Sequence, residues 1–452
     1  MSPLNFIPFK LLISYSMKKT FTLALLVLFG FSSAQDKMSW FEEAKLGIFI
    51  HWGIYAVDGI SESWSFYNGY LSHEDYMKQL GGFTAEKYQP KHWVKLISNS
   101  GAKYTVITSK HHDGFALWNS KHGNLNAFSS AKAQKDVLTP FVKAVRKSDL
   151  KLGMYFSLPD WSYEDYTHHT NKIKRYQIAT DSLRWNRYLN YMNAQLNELS
   201  QSYTPDLWWF DGDWEHSSKE WRIDEIKTKL IAQNKNSIFN SRLNGKGDYE
   251  TPEIGIPVMA PRSKHWELCV SINDSWGYQP NDNNYKTPMQ VIDLFVDTLS
   301  KGGNLLLNIG PKADGSIADE QKNVLNELGG WIKKHQSAVY STQRGIPYEH
   351  FYGPTTLSKD RKTLYLYLRD IPKDGNVVLK GISNKINRAY VVGQGAILNQ
   401  QTICTVYWNK YPGLTYIEIP KESIDPYYTV IAVLLDDEIE LYREFNSAVE
   451  QN

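Results

Sequence analysis

Very little in this chain of 452 residues serves to staple it, charge it or anchor it. Its two cysteines, Cys269 and Cys404, are too few for a disulfide framework, and they fall in regions read below as separate domains, so no bridge is expected. Net charge is almost absent: 50 Lys and Arg against 48 Asp and Glu leave +2. That removes the electrostatic case for nucleic acid as a partner. No glycine-rich dinucleotide fingerprint or phosphate loop follows any strand-like run, which counts against a nucleotide-binding sheet. Beyond residue 35 no apolar run is long enough to span a bilayer, so no membrane anchor is expected.

The one long apolar run lies at the start. From Met17, "MKKTFTLALLVLFGFSSAQ" carries Lys18 and Lys19, then an apolar stretch from Phe21 to Phe31, then Ser32-Ser33-Ala34. This is the layout of a signal peptide, with cleavage expected near Ala34. No cysteine follows to carry a lipid, and residues 1–16 read as the product of a start codon assigned too early. The mature chain is expected to be exported and soluble, periplasmic or extracellular.

Aromatic residues are abundant, at 14 % with 15 Trp and 29 Tyr. Most should fill the core, but flat apolar faces with polar edges also suit stacking on sugars. From about residue 40 to 340, apolar runs alternate with amphipathic segments. Strands are expected at 46–53, 103–114, 150–158, 205–213, 237–242, 268–274 and 303–311, and helices at 85–100, 136–148, 180–201, 219–234, 288–301 and 319–336. Buried parallel strands covered by helices fit a (β/α)8 TIM-like barrel better than an open sheet. After about 345 the texture becomes all-β, with strands expected at 362–370, 376–382, 388–393, 405–409, 415–420 and 428–437. The expected organisation is a signal peptide (1–34), a catalytic barrel (36–345) and a C-terminal antiparallel β-sandwich (346–452).

Within this frame the stretch "LWWFDGDWEH" (207–216) is informative. Four apolar residues end on Asp211, so a buried strand delivers a carboxylate to the barrel rim, where such folds place their catalytic groups. Taken alone, Asp211 could equally be a helix-capping residue; Trp208 and Trp209 beside it argue for a drier setting. Asp213 and Glu215 read as solvated or supporting. Other strand ends are polar too: His51-Trp52-Gly53, His111-His112-Asp113-Gly114, Tyr155 and Asn240-Ser241-Arg242. Adjacent histidines point to opposite sides of an extended chain, and strand one lacks a His-x-His pair, so no metal is expected. His168 and His169 read as surface residues. For a second carboxylate the candidates are Glu62, Glu253 and Glu267, which spacing alone does not rank.

"FIHWGIYAV", "KHHDGFALW", "WWFDGDW", "HWELCVSINDSWGY" and "SKGGNLLLNIGPKADGSI", in this order, resemble the α-L-fucosidases of glycoside hydrolase family 29. The resemblance runs from about residue 38 to the end. It implies a retaining exo-glycosidase that releases terminal α-L-fucose from glycans or glycoconjugates without metal or cofactor. Carried over by motif, it implies Asp211 as nucleophile, and sugar contacts from His51, Trp64, His111, His112, Tyr155, Trp209, Arg242 and Trp276. For the acid/base it favours Glu253, with Glu267 and then Glu62 as alternatives. The competing readings are a non-catalytic fucose-binding protein and a different barrel glycosidase.

Overall fold

Continuous apolar runs become continuous burial: every residue of β1 (Leu46–Ile50), β2 (Tyr104–Lys110), β4 (Leu207–Asp211), β6 (Glu267–Ser271) and β7 (Asn304–Ile309) is buried. With β3 (Lys151–Ser157) and the two-residue β5 (Ile238–Phe239) they form one parallel sheet in the order β5-β4-β3-β2-β1-β7-β6. The register is regular at its centre, where Ile48 of β1 lies against Thr105 of β2 and Leu307 of β7. The computed structural model describes residues 36–408 and 410–443; the predicted leader, 1–34, lies outside the described residues. The chain divides into units 1–39 and 40–452, and all of the sheets belong to the second. No helix among the described residues is long and apolar enough to cross a membrane.

The eighth barrel position carries no regular strand. It is filled by the irregular stretch 249–253, whose Tyr249 bridges Asn240 while Glu250 and Glu253 bridge Trp266 and Cys269, all in parallel sense. Cys269 N–H donates to the Pro252 carbonyl at 3.2 Å, and Ile254 N–H to that of Cys269 at 3.0 Å. Pro252 has no N–H to give a neighbour, which limits this stretch to single bridges. Gly247 lets the chain turn back here, since a Cβ would lie 2.1 Å from the Asn240 carbonyl oxygen.

Long helices cover the outside: α1 (Pro90–Asn99), α2 (Leu138–Val145), α3 (Ser182–Tyr203), α4 (Ile223–Gln233), α5 (Pro288–Ser300) and α6 (Asp319–Val339). Their starts are written locally. α5 begins with Pro288 behind a reciprocal cap between Thr287 and Gln290, and Asp181 caps α3 by accepting from the Arg184 N–H.

The C-terminal part has a five-stranded antiparallel sheet from β8 (Thr342–Arg344), β9 (Thr355–Ser358), β10 (Thr363–Leu368), β12 (Ile386–Val391) and β15 (Thr429–Leu435). A three-stranded sheet from β11 (Asn376–Lys380), β13 (Gln400–Ile403) and β14 (Leu414–Glu418) faces it. The larger sheet has two apolar faces. On β10, Leu364, Leu366 and Leu368 fill the sandwich interior, while Tyr365 and Tyr367 join the core of the barrel. Tyr367 donates to the Ala338 carbonyl of α6, and Trp331 of α6 donates to the Tyr428 carbonyl at 3.2 Å. The sandwich thus braces the barrel's last helix. The strand predicted at 405–409 is instead an exposed turn over its described residues, with Tyr407 96 % accessible, and the actual edge strand precedes it at 400–403.

Candidate active site

Alternation along each strand selects what faces the barrel interior. On β4, Trp208 and Phe210 stack outward with the helices (5.8 Å between centroids), which leaves Trp209 and Asp211 pointing inward. Tyr155 of β3 stacks on Trp209, and Phe49 of β1, two residues before His51, packs on the same ring at 5.0 Å. Gly212, at φ +83, turns the chain directly after Asp211, and a Cβ there would meet Pro159 Cδ at 2.1 Å. Together these residues wall a cavity of about 200 Å³ at the C-terminal ends of the strands. Phe49, His51, Trp64, His111, Tyr155, Trp209, Asp211, Trp214, Arg242, Glu253 and Trp276 line it.

Asp211 is the most heavily supported group in the cavity. Tyr155 donates its hydroxyl to Oδ2 at 2.9 Å, Arg242 donates to Oδ1 at 3.0 Å, and His112 Nε2 stands 3.5 Å from Oδ2, at the long limit of a hydrogen bond. Burial opposes the charge, but His112, the Arg242 cation and the Tyr155 hydroxyl outweigh it and hold the carboxyl well below the usual range. Asp211 is ionised at any ordinary pH.

Arg242 connects this carboxylate to a second. Its guanidinium lies over the Trp209 ring, 4.7 Å from the centroid, and its other terminal nitrogen donates to Glu253 Oε2. Asp211 and Glu253 therefore share one guanidinium fork, with Glu253 the more open of the two (34 % against 11 % side-chain accessibility). Both residues line the cavity.

Hydrogen-bond networks assign the histidine tautomers. Asn308 donates its amide to Ser271 Oγ and to the Trp276 carbonyl, so its Oδ1 accepts from His51 Nδ1 at 2.7 Å. That leaves His51 Nε2 as an acceptor, and burial lowers the ring to about 4, keeping it neutral. Ser63 Oγ accepts from the Asp113 N–H and donates to His111 Nδ1 at 2.6 Å, which makes His111 Nε2 a donor. Ser157 Oγ donates to the Pro159 carbonyl and accepts from His112 Nδ1 at 2.6 Å. His51 and His111 thus offer the cavity one acceptor and one donor.

The other two candidate carboxylates lie outside the cavity. Glu267 opens β6, so it sits at the N-terminal side of Trp209, fully buried, accepting from the Trp209 indole (3.0 Å) and the Tyr104 hydroxyl (2.6 Å). Glu62 is buried and accepts the Gly277 N–H at 2.6 Å, pinning the segment that carries Trp276. Burial raises both carboxyls to about 7. Glu215, expected to be solvated or supporting, is nearly inaccessible and accepts from Trp161 (2.8 Å) and Tyr166. His168 and His169 are half-buried rather than superficial. His168, Glu215 and His216 bring possible ligand atoms within 4.8 Å of one another, but Thr167 Oγ1 occupies both histidine nitrogens and the Glu215 oxygens are already bonded, which makes the group a hydrogen-bonded strut. Cys269 is buried, Cys404 is exposed, and both are free thiols.

Sequence reasoning missed Phe49, Trp214 and Asn308. Phe49 was readable from its two-residue spacing to His51. Asn308 lies mid-strand in "NLLLNIG", where a polar residue in an apolar run signals a buried partner.

The α-L-fucosidase family model matches residues 31–337. An α-L-fucosidase of Branchiostoma floridae is 31 % identical over 373 residues, covering 75 % of this chain and 81 % of that one. Among solved structures, α-L-fucosidase isoenzyme 1 of Paenibacillus thiaminolyticus superposes with a TM-score of 0.80 at 31 % identity, covering 89 % of this chain and 99 % of that one. A family 29 α-L-fucosidase of Bacteroides thetaiotaomicron, trapped as a covalent intermediate with 2-fluoro-fucosyl fluoride, gives 0.76 at 28 % identity, covering 88 % and 96 %.

Proposed function

The chain belongs to the α-L-fucosidase family, glycoside hydrolase family 29, and from that premise we propose Asp211 as the nucleophile and Glu253 as the acid/base of its double displacement. The protein is a retaining exo-glycosidase that hydrolyses terminal α-L-fucosides. What carries the residue assignment is the shared Arg242 fork, which links a buried, ionised carboxylate to a more accessible one within a single cavity. Retaining enzymes need two carboxyl groups about 5–5.5 Å apart.

In the first step an Asp211 oxygen bonds to C1 of fucose while Glu253 gives its proton to the departing glycosidic oxygen. In the second, Glu253 takes a proton from water, the water oxygen bonds to C1, and Asp211 leaves as carboxylate. Donor and acceptor nitrogens of His111 and His51 take the sugar hydroxyls; His112, also expected to contact the sugar, is inaccessible and absent from the cavity lining, and its Nε2 faces Asp211 instead. Tyr155, Trp209 and Trp276 give an apolar wall to the C6 methyl. One methyl is worth only about 1–3 kcal/mol, so galactose is also rejected by lack of room for its extra hydroxyl.

Fucosylated glycans are the substrates this reading implies. The basic, apolar and small-residue regions of 17–34 support export and cleavage near Ala34, with a catalytic part at 36–345 and a bracing sandwich at 346–452. The test is turnover of an aryl α-L-fucoside by the wild type and by Asp211→Ala with added azide. Rescue as fucosyl azide is expected; a variant that retains full activity overturns the assignment.

A further inference from the structure

A second and larger cavity, of about 360 Å³, opens at the other end of the barrel. Its walls come from residues that precede strands: Lys45 before β1, Trp266 before β6 and Gly302 before β7, with Arg262 of the preceding loop and Arg344 of β8. In a parallel barrel this is the N-terminal face, and none of its residues lines the Asp211 cavity.

The cleft is strongly cationic although the chain as a whole is nearly neutral. Lys264 pairs with Glu42 at 2.6 Å, His265 lies 3.4 Å from the same oxygen, and Lys301 pairs with Asp297 at 2.5 Å. Lys45, Arg262 and Arg344 have no carboxylate partner among the described residues. Lys45 is the telling one: 3 % accessible, lining the cavity, its ammonium has no hydrogen-bond acceptor among the described residues. Burial and the Lys359 charge lower it to about 8 against the pull of Glu42 and Glu43. A largely desolvated lysine without a carboxylate partner is costly, and an anion entering the cleft would relieve that cost.

We propose that this basal cleft is a binding site for a tetrahedral oxyanion, a sulfate or phosphate group, with Lys45 at its centre and Arg262 and Arg344 flanking. Three cations from three separate elements line one cleft, and that number suits the several oxygens of a tetrahedral anion better than the two of a planar carboxylate. The arginine forks match sulfate and phosphate oxygens pairwise. The anion is either free or carried on a sugar as an ester.

The test is calorimetric titration of the full chain with sodium sulfate, sodium phosphate and galactose 6-sulfate, at ionic strength held constant with sodium chloride. Saturable binding is expected, weakened about tenfold or more in Lys45→Met and in Arg344→Gln, with kcat/KM on an aryl α-L-fucoside unchanged. Should Lys45→Met fail to fold, Arg262→Gln and Arg344→Gln, both exposed, read the same loss. Binding of the sulfated sugar supports an ester-bearing glycan as occupant; binding of the inorganic ions alone supports a free anion. No saturable binding of any of the three, or binding untouched by the substitutions, overturns the proposal.

Discussion

Trp209 donates its indole N–H to Oε1 of Glu267 at 3.0 Å, so the aromatic floor of the cavity rests on a carboxylate from the far side of the barrel. Glu267→Gln keeps one acceptor and loses the other, leaving either Trp209 or Tyr104 with a buried, unanswered donor. A stability loss of about 1–3 kcal/mol is expected, measured by thermal or urea unfolding. The dependence of kcat/KM on leaving-group pKa should match that of the wild type. A steepened dependence would hand the acid role to Glu267.

Glu253→Ala should behave oppositely. Fucosylated oligosaccharides, whose leaving groups need a proton, should slow by about 10²–10⁴-fold, whereas 2,4-dinitrophenyl fucoside should lose far less. Folding should be nearly unaffected, since the side chain is partly exposed and its ion pair is with Arg242. Steady-state kinetics across a leaving-group series decides this.

Glu62 gives a pH signature in stability. Burial raises its carboxyl to about 7 in the folded protein, against an ordinary value near 4.5. Between those limits the native state holds more proton than the unfolded chain, so this group's contribution to stability falls as pH rises from 5 to 8. Glu62→Gln keeps an acceptor for the Gly277 N–H and removes the ionisation. Denaturant midpoints across that range should show a decline shallower than the wild type's by about 2 kcal/mol. Parallel curves for the two proteins would refute it.

Trp214 is 53 % exposed at the cavity rim and stacks on Trp64 with centroids 6.3 Å apart. It is placed to meet whatever fucose is attached to. Trp214→Ala should lower kcat/KM for fucosylated oligosaccharides about 2- to 10-fold, the worth of one aromatic contact. Fucosyl fluoride, which has nothing beyond the sugar ring, should be turned over as before.

What the sequence disclosed follows from how each element meets solvent. Seven strands were legible because parallel strands covered on both faces are written as unbroken apolar runs. The stretch 249–253, "YETPE", was not, because a strand held by isolated bridges and interrupted by Pro252 leaves no such run. "TVYWN" looked like a strand, yet its described residues, 405–408, are exposed to solvent, while the true edge strand, "QQTI", is exposed and carries no apolar pattern. Asp211 could be read from its place at the end of an apolar run. The choice among three glutamates could have been narrowed: Glu267 stands where a strand begins, and in a parallel barrel that is the wrong end for chemistry.

The seam at 249–253 has an outcome for how this catalyst can change. The carboxylate proposed as nucleophile ends a strand paired in regular register with β3, whereas the proposed proton donor lies on an irregular stave held by isolated bridges. Exchange of residues 244–266 as a cassette would reposition the proton donor and reshape the leaving-group side while the fucose cradle stays intact. Preference for what is released from fucose is therefore separable, and so evolvable, apart from recognition of fucose itself.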